Sequence, residues 1–235
     1  MDSNDTFLET TMDFRDRRKK KIVFVSQCIL NQNLRFPGIA VRGGACVELV
    51  DMLTKHEIGI ETFPCLERIG WGGVSRRSYS RYQPLFLAWA DTPLFRLIEP
   101  LGRLWMYRYG LLCRKEARKV VRDIADYIGS GYSVFGIIAV NDSPTDGVTR
   151  TIDLIGAARR LKEMGVGKEV FDNPDIDTMR KVIPMLCQEG TGVFILRVMR
   201  ALRGKGINLP IVGYDPWADP AGESARIARA LRIDG

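Results

Sequence analysis

Four short runs rich in β-branched, aliphatic and aromatic residues, Ile22–Val25, Ile60–Phe63, Val134–Val140 and Leu209–Val212, recur along the chain and are separated by stretches whose apolar residues return at helical spacing. A strand with almost no polar positions needs cover on both faces, and strands joined through helices run parallel. The expected fold is therefore α/β, a three-layer sandwich around a mainly parallel, Rossmann-like sheet. The helical stretches are Ala45–His56, Cys113–Ile128, Ile176–Gln188, Val193–Leu202 and Ala221–Leu231, while Gly147–Pro174 reads as a polar, glycine-containing region.

At 235 residues the chain suits one core rather than two. Residues 21–235 read as a single α/β domain carrying an aromatic-rich insertion at about 85–112, preceded by a flexible basic tail at 1–20. In the insertion Trp89, Phe95, Trp105, Tyr107 and Tyr109 alternate with Arg96, Glu99, Arg103 and Arg108, the pattern of an amphipathic helix packed on the domain. A dimer contact, a substrate lid or an interfacial membrane helix are the other readings of it.

The formal charge of +7 raises the question of nucleic acid. Residues 1–21 hold six basic and five acidic side chains, so this segment contributes a net +1 despite the run Arg15–Lys21, and the body carries the remaining +6. That run reads as a solvated tail before a strand, and nucleic acid is not an expected partner. No apolar run is long enough to span a bilayer, and the polar start does not read as a cleavable signal, so the expectation is a cytoplasmic protein. The five cysteines are odd in number, widely spaced and contain no CxxC pair, which disfavours both a disulfide framework and a zinc ribbon.

Loops beyond the carboxyl ends of parallel strands meet in one crevice. Here those ends carry Cys28 in Ser26-Gln27-Cys28, Cys65 in Phe63-Pro64-Cys65, and Asp146 in Ser143-Pro144-Thr145-Asp146-Gly147. Each is a possible metal ligand. Cys46 and Cys187 fall inside helical patterns and read as small buried hydrophobes. Cys113 is expected to open a helix, where the positive dipole end would lower its thiolate pKa and make it a reserve ligand or reactive thiol. His56 reads as a surface or capping residue.

These three blocks resemble the thiouracil desulfidase family, in particular the branch with an Asn-Gln-Asn first motif. The first block is Ser26-Gln27-Cys28-Ile29-Leu30-Asn31-Gln32-Asn33, followed by Arg35-Phe36. The second is Cys65-Leu66-Glu67 with Gly70, Gly72, Gly73, Arg76 and Arg77, where Leu66 stands for a family proline. The third is Ser143–Gly147, where Asp146 stands for a family cysteine. The resemblance implies a [4Fe-4S] cluster held by Cys28, Cys65 and Asp146, and removal of sulfur from a thiolated pyrimidine or related thioamide, supplied as a base or nucleotide. It further implies Glu67 and Ser143 as catalytic groups. Arg76, Arg77 and Arg81 form a basic cluster that reads either as a site for a substrate phosphate, through Arg76 and Arg77, or as a solvated loop.

Carboxylate is a harder and weaker partner for cluster iron than thiolate. Three outcomes stay open: aspartate ligation, recruitment of Cys113 as the third thiolate, or a cluster-free nucleotide- or protein-binding module that reuses the same crevice.

Overall fold

The computed structural model describes residues 16–89, 92–93, 95–166, 170 and 174–233, so residues 1–15 of the expected tail lie outside it. The central sheet comprises β1 (Lys21–Ser26), β2 (Gly59–Phe63), β3 (Ser133–Val140) and β6 (Ile211–Tyr214) in the order β2-β1-β3-β6. Every pairing in it is parallel: Val25 stands opposite Thr62 and Ile138, and Ile138 opposite Val212. A small antiparallel ribbon of β4 (Arg150–Ile152) and β5 (Cys187–Glu189) sits beside it.

Side chains alternate across a strand, and the alternation divides the core into two layers. Val23, Val25, Ile138, Val140 and Val212 face one side and meet Leu49 and Leu53 of α2 (Val47–Lys55) and Ile227 and Leu231 of α9 (Pro220–Leu231). Ile22, Phe24, Ile137 and Ala139 face the other side. They meet Ala117, Val121 and Ile124 of α5 (Phe95–Gly129) and Phe194, Ile195 and Val198 of α8 (Val193–Gly204). The three-layer, mainly parallel α/β architecture expected from the strand pattern is the one observed.

Two short helices, α1 (Gln27–Leu30) and α3 (Leu66–Gly70), start directly at the ends of β1 and β2. Beyond α3, α4 (Arg77–Trp89) and the 35-residue α5 occupy most of the segment read as an insertion. Cys113 therefore does not open a helix: α5 begins at Phe95 and leaves Cys113 in its interior, away from any helix N-terminus. The region Gly147–Pro174 holds β4 and α6 (Leu154–Glu163), the latter capped by Asp153, whose side chain accepts from Ile155 N–H. The next helix, α7 (Ile176–Leu186), stops one residue short of Cys187, which opens β5 rather than lying in a helix. Among the described residues no helix is long and apolar enough to cross a membrane.

Candidate functional site

The carboxyl ends of β1, β2 and β3 are tied to one another by side chains. Ser26, the last residue of β1, donates from Oγ to Asp146 Oδ2 at 2.9 Å, linking β1 to the loop after β3. Gln27 Oε1 accepts from the Cys65 N–H at 3.2 Å, linking β1 to the end of β2. Ser143 Oγ donates to Glu67 Oε1 at 2.9 Å and accepts the N–H groups of Thr145 and Asp146 at 3.1 and 2.9 Å. One hydroxyl thus shapes the 143–147 turn and holds a carboxylate from a distant loop.

That turn is held from behind as well. The first turn of α8 has unpaired N–H groups, as every helix start does, and here Gly192, Val193 and Phe194 donate to the carbonyls of Gly147, Pro144 and Thr145 at 2.8, 3.0 and 3.0 Å. Gly192 must lack a side chain: a Cβ there would lie 2.4 Å from the Thr145 carbonyl oxygen. Tyr109 on α5 adds a hydroxyl contact to Thr145 Oγ1 at 2.7 Å. Asn141 Oδ1 accepts from the N–H groups of Val148 and Thr149, and Arg150 bridges Asp142 and Asp215 at 2.9 and 3.0 Å, so the end of β6 is joined to the same corner.

Cys28, Cys65 and Asp146 all line one cavity of about 550 Å³, together with Glu67, Ser143 and Arg35. Sequence reasoning placed the first five there. Cys28, Cys65 and Asp146 are each held toward the neutral form. Burial, with a smaller contribution from nearby acids including Asp146 and Cys65, pushes the Cys28 thiol well above its ordinary range. Burial followed by the Glu67 carboxylate pushes Cys65 up to about 11, and the same two causes push Asp146 up to about 7, against the opposing Ser26 hydrogen bond and Arg35 charge. Cys113 is fully buried, and burial pushes its thiol up to about 12, the reverse of the lowering expected at a helix start.

Arg76 and Arg77 do not line this cavity. Arg76 is fully buried, and its guanidinium donates to the carbonyls of Leu34, Gly73 and Val74, clasping the loops after β1 and β2. Its Nη2 also lies 3.5 Å from Cys65 Sγ and 3.9 Å from Glu67 Oε2. Arg77 lines a neighbouring, more open cavity that shares Arg35 and Phe36 with the first. The cation on the wall of the main cavity is Arg35, to which sequence reasoning assigned no role. Its signal was a charged residue in a strand-end loop just before Pro37-Gly38.

Among the described residues no group of three His, Cys, Asp or Glu side chains is arranged to hold a single metal ion. A cubane cluster sets its ligands wider apart than one ion does, and the donors around the cavity suit it in kind. Two thiols line it, and Asp146 Oδ1 is buried without any hydrogen-bond partner. The N–H contact from Arg76 to Cys65 Sγ is the type of outer contact that steadies a ligating thiolate. The donor types that meet at the cavity are thus two thiols, Cys28 and Cys65, and one unpartnered carboxylate oxygen, Asp146 Oδ1.

No protein-family model matches the chain, and no solved structure matches it. It is 29% identical over 126 residues to the uncharacterized protein MJ0003 of Methanocaldococcus jannaschii, an alignment covering 54% of this chain and 67% of that one.

Proposed function

We propose that this protein is an iron–sulfur-dependent desulfidase that removes sulfur from a thiolated pyrimidine, as base or nucleotide, or from a related thioamide. The observation that carries the reading is the meeting of Cys28, Cys65 and the unpartnered Asp146 Oδ1 at one cavity, each delivered by a different parallel strand. A bound [4Fe-4S] cluster with one iron lacking a protein ligand would supply an open Lewis-acid position for the thiocarbonyl sulfur.

The chain's own residues do the remaining work. Glu67, oriented by the Ser143 hydroxyl, takes a proton from the attacking water; the water oxygen bonds to carbon, the C–S bond breaks and sulfur leaves as hydrosulfide. Ser143 keeps the turn that presents Asp146, and Arg76 balances the Glu67 charge from behind. Trp71, Tyr79 and Trp105 pack against one another in the cavity wall and make that end aromatic. All five cysteines are free, in keeping with a reducing, cytoplasmic setting.

Protein purified without oxygen and reconstituted with iron and sulfide tests the reading. It should show broad visible absorption and release sulfide from 2-thiouracil, and absence of both defeats the proposal. A second reading, a cluster-free crevice that binds a nucleotide or a protein, is favoured by the lack of an ion-holding group among the described residues. Iron content near zero after anaerobic purification and reconstitution selects it.

A further inference from the structure

The cavity does not end at the strand tips. Beyond Cys28 and Asp146 it continues among α4, α5, α6 and α7, where Phe86, Leu87, Ile98, Ala157, Ala158 and Leu161 form its wall. A single pyrimidine ring needs only the strand-tip end; a volume of about 550 Å³ is that of a site for a larger ligand. Small side chains keep this arm open. Ala157 and Ala158 line it at positions where longer side chains would take up the space.

The polar end holds the second, independent observation. Arg35 is 9% exposed, its Nε is buried without a hydrogen-bond partner, and it lines the cavity. A buried donor left without an acceptor is costly, and an anionic group at this end would satisfy it with a charge-assisted hydrogen bond.

We propose that the cavity is a binding site for an anionic single-chain amphiphile, a carboxylate or a chemically similar head on Arg35 with its hydrocarbon chain in the arm between α4 and α7. The proposal goes beyond the desulfidase reading and stands or falls without it, because it concerns what the cavity holds rather than which bond breaks.

The test is calorimetric titration of the full chain, with and without reconstituted iron, using hexanoate, octanoate, decanoate and dodecanoate below their micelle concentrations, and decanol as the uncharged control. Affinity should rise roughly fourfold per added methylene until the arm is full. Arg35→Gln should weaken decanoate about tenfold while changing decanol little. Ala157→Phe should abolish the gain with chain length and leave hexanoate binding intact, and Leu161→Ala, which enlarges the arm, should extend the gain to longer chains. Affinity independent of chain length overturns the proposal, as does an equal loss of decanoate and decanol in Arg35→Gln. Binding of uridine monophosphate through Arg35 with no response to the carboxylates also overturns it. Chain-length-dependent binding without sulfide release defeats the desulfidase reading alone, and sulfide release without chain-length dependence defeats only this one.

Discussion

Replacing Ser143 by alanine separates a turn-forming hydroxyl from a dispensable one. The side chain accepts two backbone N–H groups, those of Thr145 and Asp146, and both residues are buried. Alanine leaves both donors without an acceptor, at a cost of about 1–3 kcal/mol each, and removes the hydrogen bond to Glu67. Partial relaxation of the turn and water entering from the cavity reduce the sum, so the expected destabilisation is on the order of 3 kcal/mol. For a chain of this length that corresponds to a fall in Tm of roughly 6–12 °C. Ser143→Thr keeps the acceptor and should lose much less. Urea unfolding followed by tryptophan fluorescence reads the difference directly. A Ser143→Ala protein within about 0.5 kcal/mol of the parent would refute the argument that this hydroxyl holds the turn.

Gly192→Ala should be more damaging than an ordinary helix-cap change, because its Cβ meets backbone rather than side-chain atoms, 2.4 Å from Thr145 O and 2.7 Å from Gly147 N; thermal melts of the purified variant check this. In iron-free protein Asp146 keeps its proton in the folded state up to about pH 7 but loses it near 3.8 when unfolded, so it costs stability progressively as pH rises through that window and no further above it. Asp146→Asn should therefore match the parent at pH 4 and exceed it near neutrality, by up to about 4 kcal/mol, in pH-dependent urea unfolding. Cys28→Ala or Cys65→Ala should abolish iron retention, whereas Cys187→Ala should keep it; elemental iron analysis decides. Cys113, buried and with its thiol pushed up to about 12, should resist alkylation in the native protein and react only on unfolding, as counted by mass spectrometry.

The frame of this protein was legible because apolar runs at strand length are hard to mistake. The runs at residues 22–25, 60–63 and 134–140 each fall within an observed strand, and the fourth strand lies two residues beyond its expected start at Leu209. Parallel pairing then brought Cys28, Cys65, Glu67, Ser143 and Asp146 to a common cavity, as the strand-end argument requires. Elements whose stability comes from partners were not legible. The β4–β5 ribbon is three residues a side and exists through pairing across 35 to 39 positions of sequence, from Arg150–Ile152 to Cys187–Glu189. The continuity of α5 was hidden because the 85–112 stretch read as an insertion and Cys113 as the start of a separate helix, whereas one helix runs through both and approaches Phe86 of α4 at Gly102. Arg76 looked like a free cation in a basic cluster; only the folded chain shows it spent on carbonyls, with Arg35 facing the cavity instead.

The bonds that fasten the strand tips together bridge 38, 76 and 120 positions of sequence. No short peptide of this protein carries the arrangement, and a nascent polypeptide that has not yet reached Asp146 has nothing to set against Ser26. Long-range closures of this kind come late in folding. The reactive corner is consequently a product of completed assembly, and a growing chain holds its Cys28 and Cys65 thiols without the carboxylate that completes their neighbourhood.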